Sequence, residues 1–348
     1  MEPKKRVTIK DLASVCEVST ATVSRVLNHI PGNYSAETEQ RILDAAKQMG
    51  YYPNRMARSL ITHKTKLIAV LVPDIHYYFF QDFFSGIDRY FGQFGYRILL
   101  CITQENAQNE RMYLSELSNG LVDGIIVCTL NKKEDNALII QLAAEKYPVV
   151  TLERYGSELA GLCNVRIDNE LAAKLAVDYL VENGHRSIAF LKGHPEASNG
   201  ELRYRGYLRS MAEHGLAVPA SHVRRADYLF EASVVATHEL LNECPEVTAI
   251  IAANDLMSMG VSKAIVQAGK RIPDDVSVVA LGGAILTLTN EPTLTTVDFQ
   301  ADELGALAGE CLRAQIEGKP LQQREYVLRP VLNVGQSVRK LSDFPPEI

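Results

Sequence analysis

No stretch of the 348 residues approaches the roughly 18 consecutive apolar positions that a membrane-spanning helix needs. The opening residues, Met1-Glu2-Pro3-Lys4-Lys5-Arg6, are charged and lack the apolar core of a secretory signal. These absences predict a cytoplasmic protein with no membrane partner. Six cysteines (Cys16, Cys101, Cys128, Cys163, Cys244 and Cys311) include no CxxC pair, and Cys101 sits inside the apolar run 98–102. Buried free thiols are therefore expected, with neither a zinc site nor a disulfide framework. GxSxG, Walker-type phosphate loops and metal-ligand clusters are also missing, so no cofactor, metal or catalytic residue is expected and the chain is not read as an enzyme.

What is present begins with uneven charge. The net charge is −6, which by itself argues against nucleic acid. Residues 1–65, however, carry 10 Lys and Arg against 6 Asp and Glu, and the remainder carries 26 against 36. A basic head on an acidic body is the electrostatic footprint of a nucleic-acid module joined to something else.

The head reads as three short helices. Thr8-Ile9-Lys10-Asp11 has the spacing of a capping box, and Ile9, Leu12, Ala13 and Cys16 follow on one helical face. After the break at Glu17-Val18, Ser19 can cap a second helix through Leu27 with Val23, Val26 and Leu27 inward. A third helix is expected over Glu37 to Met49, with Ile42, Leu43, Ala46 and Met49 inward and Gly50 closing it. The first two, joined by so tight a turn, form a helix-turn-helix. The outer side of the second carries Ser19, Thr20, Ala21, Thr22, Ser24, Arg25 and Asn28. Short polar groups suit phosphate contacts at close approach, and Arg25 can fork onto a guanine edge. A small helical module for protein contact is the alternative.

Thr8-Ile9-Lys10-Asp11-Leu12-Ala13 and Val18-Ser19-Thr20-Ala21-Thr22-Val23-Ser24-Arg25-Val26-Leu27-Asn28 closely resemble the headpiece of the lactose/galactose repressor (LacI/GalR) family. The resemblance implies that Thr20 and Ala21 take the variable base-reading positions and Arg25 the shared one, while Ser19, Thr22, Ser24 and Asn28 hold phosphates. It also implies a hinge in Pro53-Asn54-Arg55-Met56-Ala57-Arg58-Ser59-Leu60. A helix of about seven residues is too short to stand alone. In the family it pairs with its copy in the DNA minor groove. Ala57 would then allow close approach, Asn54 and Arg58 would make polar contacts, and Leu60 would wedge between base steps. Leu60 as a plain linker residue is the alternative.

Beyond residue 65, short apolar strands alternate with amphipathic helices. Strands are expected at Leu67–Val72, Arg97–Ile102, Gly124–Cys128, Val149–Leu152, Ile188–Leu191, Ala249–Ala252 and Val276–Leu281. Helices are expected at Phe83–Phe94, Leu171–Asn183 and Leu256–Ala268. Repeated βα units imply parallel sheets covered on both faces, and the break after about Val165 implies two of them. Stretches such as Ala252-Ala253-Asn254-Asp255 and Pro273-Asp274-Asp275-Val276 resemble the periplasmic-binding-protein-like body of the same family. The expected fold class is an all-α helix-turn-helix headpiece plus an α/β body of two doubly wound parallel-sheet subdomains. The expected domains are a headpiece at 1–49, a hinge at 50–65, a first subdomain at 66–164 plus 293–325, a second at 165–292 plus 326–343, and a tail at 344–348.

Ligands of open α/β sheets bind beyond the carboxyl ends of the strands, so the cleft between the sheets is the expected pocket. By the resemblance, effector positions fall at Phe79, Phe80, Glu153, Asn199, Arg203, Tyr228 and Asn254. Aromatic faces with forked polar groups suit a sugar or sugar phosphate. A core role is the alternative for Phe79 and Phe80, and a solvated helix face for Arg203. His185 matches the family but is expected to cap or pack. Many members carry an aspartate where this chain reads Leu281-Gly282-Gly283. Recognition there must then come from elsewhere, or a larger ligand fills the space, which points toward a disaccharide or its phosphate. The resulting expectation is a repressor of a carbohydrate-utilisation operon that binds double-stranded DNA at a palindromic operator. It would act as a homodimer, or a tetramer, under control of a sugar or sugar-phosphate effector. A sugar-binding protein without a DNA role is the alternative, disfavoured by the helix-turn-helix.

Overall fold

The computed structural model describes residues 7–28, 30–51, 62, 64–129, 136–154, 157–194, 197–283, 287 and 289–341. They fall into two compact units that meet between Thr65 and Lys66.

In the first unit, α1 (Ile9–Val15) starts at the expected capping box. The Thr8 hydroxyl accepts from the Asp11 backbone N–H, and Asp11 returns the bond to the Thr8 N–H at 2.8 Å. Ser19 caps α2 (Thr20–Leu27), and α3 (Ala36–Gln48) starts at Ser35, one turn-residue earlier than periodicity implies. Met49 is the C-cap of α3, and Gly50 follows it at φ +62°. Leu12, Ala13, Cys16, Val23, Val26, Ile42 and Ala46 close into one small core. The hinge residues Asn54, Ala57, Arg58 and Leu60 lie outside the described residues.

The second unit holds two six-stranded sheets. The first contains β1 (Leu67–Val72), β2 (Arg97–Ile102), β3 (Gly124–Val127), β4 (Val149–Leu152), β5 (Asn164–Ile167) and β11 (Glu325–Leu328), in the order 11-5-4-3-1-2. The second contains β6 (Ile188–Lys192), β7 (Val223–Arg225), β8 (Ala249–Ala252), β9 (Ser277–Gly282), β10 (Thr295–Asp298) and β12 (Val331–Asn333), in the order 12-10-9-8-6-7. Central strands such as β3, β4, β8 and β9 are buried along their whole length, which is why they read as continuous apolar runs. Among the described residues all pairings are parallel except β12 against β10.

The helices that follow these strands are α4 (Phe79–Gly92), α5 (Ala107–Ser118), α6 (Ala137–Ala144), α7 (Asn169–Glu182), α8 (Ser198–Glu213), α9 (Phe230–Glu243), α10 (Asp255–Gln267) and α11 (Ala301–Ile316). They pack mainly in pairs: α4 with α11, α7 with α8, α9 with α10. The chain passes between the sheets within 167–188, 298–301 and 328–331. These passages lie later than the expected 164, 293 and 325. β5 belongs to the first sheet, β10 to the second and β11 to the first, each only four residues long. So short a strand leaves little periodic signal, and the two sheets compete for it only in three dimensions.

Candidate functional site

In the head, α2 presents Ser19, Thr20, Ala21 and Arg25 to solvent, with Thr22, Ser24 and Asn28 half-buried. Ser19 is already engaged. Its hydroxyl accepts from the Thr22 N–H at 3.1 Å and lies 2.9 Å from the Thr22 hydroxyl. Asn28 donates back to the Ser24 carbonyl at 2.7 Å. These local bonds fix the ends of α2 and leave Thr20, Ala21 and Arg25 on its exposed side.

In the body, a cleft partly open to solvent lies beyond the carboxyl ends of the strands of both sheets. All seven expected effector positions line it: Phe79, Phe80, Glu153, Asn199, Arg203, Tyr228 and Asn254. The first sheet contributes the segment after β1, which opens α4, and Glu153 and Arg154 after β4. The second contributes Asn199 and Arg203 on α8, Tyr228 after β7, Asn254 after β8 and Phe299 after β10.

Arg203 is 4% exposed and bridges several elements. Its Nε donates to Asn169 Oδ1 at 2.7 Å and its Nη1 to the Ala253 carbonyl at 2.6 Å. Its Nη2 stands 3.9 Å from a Glu153 carboxylate oxygen, and the guanidinium lies 4.5 Å from the centre of the Phe299 ring. This removes the solvated-helix reading of Arg203. Glu153 also accepts from the Ile167 N–H at 2.6 Å. Burial pushes its pKa up, and Arg203 together with the Ile167 N–H opposes the rise. The neighbouring Arg154 forks onto Glu105 with bonds of 2.8 and 2.7 Å. Burial works against its charge, but the Glu105 bonds prevail and hold it protonated. Both cleft arginines are thus paired with a carboxylate.

Aromatic rings build the walls. Tyr77 meets Tyr228 edge-on across the cleft at 6.0 Å, and Phe79 meets Phe299 at 6.4 Å. Phe79 also stacks on Phe83, so it serves core and cleft together. Burial raises the pKa of both Tyr77 and Tyr228, which stay neutral, and pushes the Cys128 thiol up to about 12. The Tyr228 hydroxyl and Arg154 Nε are buried without a hydrogen-bond partner. Tyr228 packs where a Cβ on Gly193 would come within 2.1 Å of its ring, so that position admits only glycine. Glu105, Glu153, Asp227 and Tyr228 all have φ between +51° and +65°, unfavourable for side chains of this size. Such strain gathers where function fixes a side chain against its backbone preference.

Two polar positions work on the scaffold. Asn254 Oδ1 caps α10 by accepting from the Met257 N–H at 2.8 Å. Asp255 Oδ1 accepts from the Gly283 N–H at 2.9 Å, and a Cβ on Gly282 would lie 2.1 Å from Asp255 Oδ2. The room beside Gly282 is therefore taken by a carboxylate of this chain. His185, fully buried, bonds Thr248 and the Arg339 carbonyl, which makes it a packing residue.

Comparison with known proteins fits both units. Residues 8–54 match the family model of bacterial regulatory proteins of the lacI family. Residues 65–329 match that of periplasmic binding proteins and the sugar-binding domain of the LacI family. The chain belongs to the LacI family. It is 36% identical to the ribose operon repressor of Halalkalibacterium halodurans, over 95% of this chain and 97% of the relative. It is 33% identical to catabolite control protein A of Priestia megaterium, over 87% and 90%. The structure also matches that of the lac repressor dimer bound to operator and an anti-inducer, with a TM-score of 0.86, 25% identity, and coverage of 96% and 100%. As a LacI-family protein the chain is a DNA-binding transcription regulator with an effector-binding body. Among the lining residues that the sequence reading did not assign to the cleft are Tyr77, Arg154 and Phe299. Arg154 had a local signal, since the charged pair Glu153-Arg154 directly follows the buried strand β4. Phe299 had none.

Proposed function

We propose that this LacI-family regulator is a cytoplasmic repressor that binds a palindromic operator as a homodimer and is controlled by a neutral monosaccharide in the cleft. Thr20, Ala21 and Arg25 read bases, while Ser19, Thr22, Ser24 and Asn28 hold the backbone. Asn54, Ala57, Arg58 and Leu60 engage the minor groove. The body supports a dimer with apolar side chains left in solvent on the edge strand β2: Leu99 and Leu100 are 36% and 41% exposed. Unpaired apolar edges favour association.

Phe79, Phe80, Glu153, Asn199, Arg203, Tyr228 and Asn254 bind the effector. The observation that carries its chemistry is charge balance. Arg154 is paired with Glu105 and Arg203 faces Glu153, so among the described residues the cleft offers no uncompensated cation to a phosphate. Aromatic walls with forked donors suit the apolar faces and hydroxyl rims of a sugar. Asp255 fills the room beside Gly282, which favours a monosaccharide over a disaccharide. The 36%-identical relative is named for a ribose operon, and a family neighbour of 25% identity is described with bound ribose. The chain acts by binding and not by catalysis, because its cleft carboxylates are committed to Arg154, Arg203 and the Gly283 N–H.

A thermal-shift screen of pentoses, hexoses, disaccharides and sugar phosphates tests the reading. A ligand that binds only the native state raises its stability. A neutral monosaccharide should raise the midpoint and change operator affinity in a gel-shift titration. A response confined to phosphates or disaccharides overturns the assignment.

A further inference from the structure

At the far edge of the second sheet, three side chains meet that the regulator's function does not use. His222 ends a short 3-10 turn (Ala220–His222) and leads into β7. Cys244 is the C-cap of α9, and Glu246 lies two residues on, before β8. Their sequence spacing resembles no metal motif, so no metal was expected here. The fold brings the His222 nitrogen, Cys244 Sγ and a Glu246 carboxylate oxygen all within 4.8 Å of one another. His222 and Cys244 are 4% and 2% exposed, whereas the Glu246 side chain is 58% exposed. His222 Nε2 and Glu246 Oε1 are 2.9 Å apart, and Cys244 Sγ lies 3.6 Å from the Ser221 carbonyl.

We infer that His222, Cys244 and Glu246 form a binding site for a zinc-type divalent cation. One sulfur, one imidazole nitrogen and one carboxylate oxygen are the donor set that selects zinc over magnesium or calcium, which take oxygen. With metal–ligand bonds near 2.0–2.3 Å, tetrahedral donors stand roughly 3.3–3.8 Å apart, so no pair has to close by more than about 1.5 Å, and the 2.9 Å His222–Glu246 pair opens slightly. Glu246 supplies most of that movement, being exposed and on a turn. Two buried donors fix the metal, and the solvent side of Glu246 admits water as the fourth ligand. Binding replaces the His222–Glu246 hydrogen bond with two bonds to the cation, and the proton on His222 Nε2 moves to Nδ1, so the neutral imidazole ligates through Nε2. The Cys244 thiol loses its proton to solvent, one proton for each metal bound. The ion ties the end of α9 to the start of β7.

The experiment titrates Co²⁺ into the chelator-stripped full-length protein under reducing, anaerobic conditions. One equivalent should produce the near-ultraviolet thiolate-to-cobalt charge-transfer band, and Zn²⁺ should displace it. Cys244→Ser should abolish the band while circular dichroism stays that of the parent. Glu246→Gln, at an exposed position, should weaken Zn²⁺ binding about tenfold or more while circular dichroism stays that of the parent. Absence of the band in the parent, or its survival in Cys244→Ser, overturns the site. If Cys244→Ser does not fold, an unchanged Zn²⁺ affinity in Glu246→Gln overturns it instead.

Discussion

Arg203→Ala offers the most informative perturbation of the cleft. Removing the guanidinium strips the donors from Asn169 Oδ1 and the Ala253 carbonyl and leaves Glu153 buried without its countercharge. Breaking a buried ion pair from one side typically costs about 3–5 kcal/mol, because the remaining charge stays desolvated. Glu153→Gln should cost less, about 1–2 kcal/mol, since a glutamine oxygen can still accept from the Ile167 N–H at the same place. The double variant carries no orphaned charge. Its loss should therefore fall short of the sum of the singles by roughly 1–3 kcal/mol. Urea unfolding of the four proteins at one pH measures the cycle. Operator binding and the sugar response, measured on the same proteins, separate the two roles. Arg203→Lys keeps the charge but loses the fork, so it should retain operator binding and lose most of the sugar response. Additivity of the two single losses to within about 0.5 kcal/mol would refute the claim that Glu153 and Arg203 act as one unit. A normal sugar response in Arg203→Ala would remove Arg203 from the effector site.

Three further outcomes follow from the same structure. Gly282→Ala should destabilise the body by about 1–3 kcal/mol through overpacking against Asp255, and adding Asp255→Ala should recover part of the melting temperature. Burial lowers the pKa of His185 from its ordinary 6.5 to about 4. The unfolded chain thus binds its proton first, so stability is complete above pH 6.5 and declines as pH falls toward about 4, by at most roughly 3 kcal/mol. His185→Gln should flatten that part of a stability-against-pH curve, and an unchanged slope counts against the assignment. Arg25→Ala should cost about 1–3 kcal/mol of operator affinity and relax preference at one base of each half-site, as a gel-shift series over single-base operator variants would report.

The sequence by itself determined the elements whose burial repeats along the chain. The capping box at Thr8 and Asp11, the inward stripe of α1 to α3, and the βα alternation were legible because caps and faces are set by neighbours within a turn or two. Strands buried on both sides announced themselves as apolar runs, and the family motifs marked the cleft residues. Tertiary structure alone decided the rest. β2 reads as apolar as β1, yet it lies at an edge with Leu99 and Leu100 exposed. The four-residue strands β5, β10 and β11 took their sheets from three-dimensional pairing. Glu105 reaches Arg154 across 49 residues, Asp255 fills the space that Gly282 leaves, and His222 meets Cys244 and Glu246. These are polar contacts between distant segments. Their strength depends on being brought together and desolvated, a property of the folded interior that no local pattern carries.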